Sequence, residues 1–361
     1  MREPLCKAVE ASSVVSGFSK PLQHCASLLK VLSLCAVLLI PSIYSLSATA
    51  KTEGVAAPSY SIESPAATQG LLLDVVRAGQ RLISVGDRGH ILYSDDEGQN
   101  WLQARVPTQQ LLTAVYFVDD RYGWAVGHDA LILATRDGGA TWTRQYDDLE
   151  QESPLLDIWF KDRDHGFAVG AYGMLLTTSN GGKDWERIDE QLDNEDGYHL
   201  NAINAVTDAG IFIVGEMGVM FRSADWGESW ETLQGPYEGS LFGIVAGQEP
   251  DHLLVYGLRG HVFRSTDFGE SWLQTPVQTE NGNLQFGLAS GTLLENGDVL
   301  IVGHGGTVLR SSDDGVNFSV TNRADRASLA GVAAGVNDGL ILVGQNGIHR
   351  TDAQGNDLLD K

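Results

Sequence analysis

The sequence predicts an all-β fold: a seven-bladed β-propeller of four-stranded blades, closed by its own N-terminal strand and preceded by a signal peptide. Three observations predict it. One segment recurs seven times along the chain, and its first glycines, at 86, 127, 170, 215, 257, 303 and 344, are spaced by 41 to 46 residues. Such a period, with several short strands per unit, is that of a propeller. After the first fifty residues, no segment longer than a turn shows helical periodicity.

The repeat reads Val-Gly-x-x-Gly, a short strand, then Ser/Thr, Asp, Gly and Trp. It runs GDRGHILYSDDEGQNW from Gly86 to Trp101 and GEMGVMFRSADWGESW from Gly215 to Trp230; Phe318 replaces Trp in the sixth copy, and the seventh is one residue shorter and lacks the aromatic. Each unit supplies four strands, in the second Leu112–Phe117, Trp124–Val126, Leu131–Thr135 and Trp142–Gln145. These are β-branched and aromatic runs parted by turn residues such as Asp137-Gly138-Gly139. The glycines permit tight or left-handed backbone, the box Asp bonds turn amides, and the Trp covers the gap between blades. Residues 51–361 are read as one propeller domain, with repeats starting near 72, 112, 155, 200, 241, 286 and 328.

Closure follows from the ends. The seventh repeat runs out after Asp352, while Ser59 to Pro65 precedes the first unit with no third strand before it. Its spacing to Leu72-Leu73-Asp74 resembles that of Trp101 to Pro107 before Leu112, so the N-terminal strand is expected to complete the seventh blade and leave no open edge.

The first fifty residues differ in kind. Lys20 and Lys30 precede an apolar run from Val31 to Leu46 and the small triplet Ala48-Thr49-Ala50, the order of a secretory signal cleaved before Lys51. An anchor helix is the alternative, but a run broken by Pro41 falls short of the ~20 residues a span needs. The expected destination is the periplasm or the extracellular space. Cys6, Cys25 and Cys35 all lie in this leader, so the mature chain is expected to have no disulfide, thiol nucleophile or Cys-ligated metal. The formal charge of −23 argues against nucleic acid and anionic membrane surfaces. A basic or cationic protein surface is its natural complement.

Ser94–Trp101, Ser223–Trp230 and Ser265–Trp272 resemble the Asp-box or BNR repeat of sialidases and their relatives. A narrower likeness lies in Phe117-Val118-Asp119 with Gly123-Trp124-Ala125-Val126-Gly127, repeated as Phe160, Asp162 and Gly166-Phe167-Ala168-Val169-Gly170. This pattern resembles the photosystem II stability/assembly factor family of plants and cyanobacteria, which has exported relatives in bacteria without photosynthesis. The resemblance spans residues 59–352. It implies a seven-bladed, non-enzymatic propeller that binds membrane-protein partners during assembly. That family carries an arginine-rich patch; here Arg222, Arg264, Arg310 and Arg350 recur at one repeat position.

The competing reading is a sialidase-like glycoside hydrolase or a glycan-binding propeller. Such a hydrolase needs three convergent arginines, an acid/base Asp and a Tyr–Glu pair. The Phe/Tyr-Arg-Ile-Pro motif is absent, and arginines in register with the repeat suggest packing or surface pairing. His90, His128, His261 and His304 sit in or beside equivalent loops; polar loop histidines are expected rather than a metal cluster, and no cofactor is expected.

Function is then sought where blades differ. In a propeller the second-to-third strand turns and the blade-to-blade connections share a face. That gathers Arg88, His128, Asp129, Tyr172, Glu216, Met217, Arg259, His304, Gln345 and Asn346 around one rim. Two acidic connections, 147–152 and 189–196, join it, the second carrying Asp193, Glu195 and Asp196. The expected function is a non-catalytic exported scaffold binding protein partners through this face, assisting the assembly or operation of a membrane or envelope complex.

Overall fold

The computed structural model describes residues 59–358, so the expected leader, its cleavage point and the three cysteines lie outside the described residues. The strands, β1 to β29 in chain order, form seven antiparallel sheets around one axis and one small hairpin. The first blade is β1 (Leu72–Ala78), β2 (Arg81–Gly86), β3 (Ile91–Ser94) and β4 (Leu102–Gln103). The other inner strands are β5 (Leu112–Phe117), β9 (Leu155–Phe160), β13 (Leu200–Val206), β17 (Leu241–Ala246), β23 (Leu288–Leu293) and β27 (Leu329–Ala334). Each packs on the next, and β27 packs on β1, so the inner strands form a closed ring.

Apolar residues of neighbouring blades form the core as a series of clusters. Trp142, 4% exposed, joins Ile83, Val85 and Ile91 of the blade before it, and Trp230 meets Phe167 edge-on at 5.8 Å across the next gap but one. The box carboxylates act on the turns as expected. Asp225 accepts the Ser229 N–H and hydroxyl at 2.9 and 2.6 Å, and Asp267 does the same to Ser271 at 2.9 and 2.5 Å. The box glycines also hold the ring together. Gly139, Gly227, Gly269 and Gly315 pack against Ile83, Phe167, Phe212 and Leu254 of the preceding blade. Gly98 of the first blade packs in the same way on Ile341 of the seventh.

Closure departs from expectation. The seventh sheet contains three strands, β27, β28 (Leu340–Gly344) and β29 (Gly347–Thr351). Residues 59–65 form no strand with it. Instead Ser61 N–H donates to Val106 C=O at 2.9 Å, and the Gln103 amide bonds Ser64 N–H and Ile62 C=O, so this segment lies along the outer edge of the first blade. The C-terminal tail starts the missing fourth strand: Thr351 bridges Asp357, and Leu358 N–H donates to Arg350 C=O at 3.1 Å. The short seventh box still turns the chain, because Asp352 accepts Gln354 and Asn356 N–H at 2.9 Å each. Arg323, 3% exposed, then clamps the tail through Gly355 C=O and the Asp357 carboxylate. One part of the expected arrangement remains. Gly347 abuts Thr68 C=O as Gly89 abuts Thr108 C=O, so residues 67–69 occupy the place of a blade-to-blade connection.

Candidate functional site

The turns after the second strand of each blade build one face. The first glycine of each has no room for a side chain: a Cβ on Gly86, Gly127, Gly215, Gly257, Gly303 or Gly344 would lie 2.2–2.3 Å from a backbone carbonyl. The third residue of five of these turns is left-handed, with φ of 56° at Arg88, 59° at Asp129, 57° at Tyr172, 53° at Met217 and 57° at Arg259, and the second glycine follows it in all but the second blade, where Ala130 stands. Each such non-glycine residue costs roughly 1–2 kcal/mol, and the conformation turns its side chain outward. Contacts with the connections confirm the shared face. Gly89 meets Thr108, Gly173 meets Asn194, Gly218 meets Tyr237, Gly260 meets Leu284 and Gly306 meets Arg323. Asp148 N–H donates to Asp129 C=O at 2.9 Å.

Arg88, His128, Tyr172, Met217, Arg259, His304, Gln345 and Asn346 are exposed on this face, and Asp129 and Glu216 are half-buried. Among the described residues Arg88 pairs only with its neighbour Asp87, at 3.4 Å, and Gln110 bonds the Asp129 carboxylate. The 189–196 connection reaches the third-blade turn, so Asp193, Glu195 and Asp196 are exposed beside Tyr172. There Tyr172 N–H donates to His199 Nδ1 at 3.0 Å, the two rings meet edge-on at 5.1 Å, and His199 lies 3.8 Å from Glu216. Apolar side chains missed in the sequence reading share the face: Leu71, Leu258 and Phe286 are 40%, 39% and 44% exposed, alongside Tyr172 at 65% and Met217 at 53%. Arrays of large exposed apolar groups beside polar rims mark interaction surfaces.

The recurrent arginines go elsewhere. Arg222 reaches the next blade's Phe268 C=O and Glu270, Arg264 reaches Asp314 through its carbonyl and carboxylate, and Arg310 reaches Ala353 C=O and Asp298. Arg350 lays its stem against Gly98. They act as staples between blades and do not converge as a carboxylate-binding triad. Among the described residues, no group of three or more His, Asp or Glu side chains is placed to hold a metal ion. His90 bonds Ile62 C=O at 3.2 Å, and His261 lies against Tyr237, its proton affinity lowered by burial and the Arg259 charge.

The inner ring holds a second feature outside the sequence reading. Every inner strand slips register once near its start, and the residues after the slip are Asp74, Ala114, Asp157, Ala202, Gly243, Ser290 and Gly331. Burial pushes the carboxyl of Asp74 up to about 6 and that of Asp157 up to about 7, against the pull of two backbone N–H donors on each. Val75 and Val115 donate to Asp74, and Ile158 and Ile203 to Asp157, at 2.8 and 2.9 Å. The available signal was an acid closing the apolar pairs Leu72-Leu73 and Leu155-Leu156 at equivalent repeat positions.

A family described as "Photosynthesis system II assembly factor YCF48" matches residues 94–153 and 144–272. Photosystem II assembly protein Ycf48 of Synechococcus sp. (strain JA-2-3B'a(2-13)) is 32% identical over 158 residues, 43% of this chain and 46% of that protein. The chain thus aligns with less than half of that relative's length. A solved structure titled "YCF48 bound to D1 peptide" superposes with a TM-score of 0.62 at 18% identity, covering 81% of this chain and 94% of that one. A streptogramin B lyase superposes with a TM-score of 0.66 at 14% identity, covering 80% and 95%. The propeller fold is therefore shared with enzymes as well as with assembly factors.

Proposed function

The chain belongs to the photosystem II stability/assembly factor-like family of Asp-box propellers, and from that premise we propose that it is a non-catalytic, exported scaffold assisting the assembly or operation of an envelope complex. Its site is the turn face. The observation that carries this reading is the contrast within the face: glycines forced by backbone contact keep the frame constant, while the left-handed positions vary as Arg88, Asp129, Tyr172, Met217 and Arg259. A solved relative holds a D1 peptide, and by analogy the ligand here is an extended segment of a membrane protein. Tyr172, Met217 and Leu258 supply apolar contact; Asp193, Glu195 and Asp196 favour a segment carrying basic residues. The leader at residues 1–50 is the export signal in this account, placing the mature chain in the periplasm or outside the cell. The arginines engaged between blades argue against a sialidase-type site.

Affinity capture from an envelope fraction tests the reading. The wild-type protein should retain a membrane protein at low salt, with capture weakened by added salt and by Tyr172→Ser with Met217→Ser. Capture unchanged in that pair, or release of sugar from a glycan panel, would overturn it. N-terminal sequencing of the exported protein should begin at Lys51.

A further inference from the structure

In the turns after the second strands, the left-handed residue follows the strand, so its N–H lies outside the sheet ladder. Among the described residues, a side chain accepts that N–H in only two of the five turns. Arg88 N–H donates to the neighbouring Asp87 carboxylate at 2.8 Å. Tyr172 N–H donates to His199 Nδ1 at 3.0 Å, and His199 comes from the following blade-to-blade connection, 27 residues on. Tyr172 is 65% exposed at φ 57°, a conformation a non-glycine residue enters against its preference, so outside support of this turn has an effect.

The imidazole is fixed from two blades. Its ring meets that of Tyr172 edge-on at 5.1 Å. The His199 backbone N–H donates to the Glu216 carboxylate at 3.4 Å, its C=O accepts Glu216 N–H at 2.8 Å, and Nδ1 lies 3.8 Å from Glu216 Oε2. The titratable groups around the ring are thus Tyr172 on the third-blade turn, Glu216 on the fourth, and Asp196 and Tyr198 of its own connection, Asp196 and Glu216 both raising the proton affinity of Tyr198. Among the described residues, no lysine or arginine pairs with Glu216. A backbone N–H can only donate, so Nδ1 must be bare and the ring hydrogen must sit on Nε2. A second proton goes to Nδ1. The ring can then no longer accept from Tyr172, and its new N–H faces the Glu216 carboxylate instead. The charge of one ring therefore selects between two arrangements.

We propose that His199 is a positioning residue of the turn face: the neutral imidazole holds Tyr172 turned outward for the partner, and the protonated one turns to Glu216 and releases Tyr172. Capture by this face is therefore strongest when His199 is neutral. Charge acts in the same direction, since an imidazolium beside Glu216 offsets one of the acids offered to a basic segment. The inference rests on the turn face being the binding site, whereas the hold on Tyr172 exists without a partner.

Two measurements test it, and the first needs no partner. In protein labelled with 15N-tyrosine, the Tyr172 amide signal, identified by its loss in Tyr172→Phe, should move sigmoidally between about pH 8 and pH 5, the interval in which imidazoles change charge. It should stay nearly still in His199→Asn, whose side-chain oxygen takes the place of Nδ1 and accepts without titrating. The second is capture from an envelope fraction at fixed ionic strength. The wild type should retain roughly two- to tenfold less at about pH 5.5 than at about pH 7.5, the effect of one hydrogen bond. His199→Asn should retain alike at both, and His199→Phe, which keeps a ring without an acceptor, should be weak at both. An amide that does not titrate, or that titrates equally in His199→Asn, overturns the proposal. So does wild-type capture that is the same at both pH values, or a pH dependence kept in His199→Asn. An amide that titrates in a wild type retaining nothing at either pH places the failure in the binding reading, and the positioning role falls with it.

Discussion

Gly215 and Gly303 have extended φ of −153° and −172°, which any residue adopts, so the demand for glycine there is one of space. A Cβ on Gly215 would lie 2.2 Å from His199 C=O, whereas one on Gly70 would lie 3.6 Å from its nearest neighbour. Gly215→Ala should therefore cost about 1–3 kcal/mol or more and Gly70→Ala less than ~0.5, read by chemical denaturation. Equal effects would show that close approach is not what fixes these positions. The ring carboxylates make a prediction of opposite character from the boxes. Folding raises Asp74 to about 6 and Asp157 to about 7 from an ordinary 3.8, so the native chain keeps protons that the unfolded chain releases. Their contribution is present below 3.8 and is lost as pH rises through 6 and 7. Asp96 and Asp225 are held down at about 2, Asp96 mainly by Asn100 and Asp225 by Ser229, and contribute stability that is lost as pH falls toward 2. The melting temperature should fall between roughly pH 4 and pH 7, with a shallower fall in Asp157→Asn. A slope identical in the variant would contradict the assignment.

At the scale of the blade, the strands of the second unit were legible to within a residue or so because its turn residues and β-branched runs alternate without ambiguity. Observed strands are Leu112–Phe117, Gly123–Gly127, Ile132–Thr135 and Thr143–Tyr146. The role of the arginines as inter-blade staples was foreshadowed by their register, but their partners were not, since Asp314 and Glu270 sit in the box turns of the next blade. Arg264 lies 2.6 Å from Asp314, their side chains 16% and 19% exposed, with His252 on the same carboxylate. Arg163 bonds Asp119 from a side chain 55% exposed. Arg264→Ala is expected to destabilise by about 1–3 kcal/mol and Arg163→Ala by under ~1. If Arg163→Ala proved the more damaging, the staple would not be what joins these blades. The inner-ring carboxylates escaped the sequence reading for a geometric reason. The register slip shared by all inner strands turns a residue toward the axis that simple alternation assigns elsewhere.

For the whole molecule, the repeat count gave the ring but not its closure, because sequence spacing does not distinguish a strand in the seventh blade from one lying along the first. Ring contacts show how it closes: Gly98 meets Ile341 as each other box glycine meets the blade before it, and Arg323 pins the tail at Asp357. Removing residues 355–361 should thus lower the melting temperature by several degrees more than removing residues 59–65, since it takes the Gly355 carbonyl and the Asp357 carboxylate from the buried Arg323 and leaves it Asp325 as its one carboxylate. The reverse order would restore the N-terminal strand as the clasp. The division between a constant frame and a varied face is the centre of the functional account, and site-specific photo-crosslinking in the envelope fraction tests it most directly. A crosslinker at Met217, on the turn face, should form one dominant adduct with a membrane-protein segment, and one at Gln99, exposed in the first blade's box turn, should not. Adducts at Gln99 with none at Met217 would contradict it.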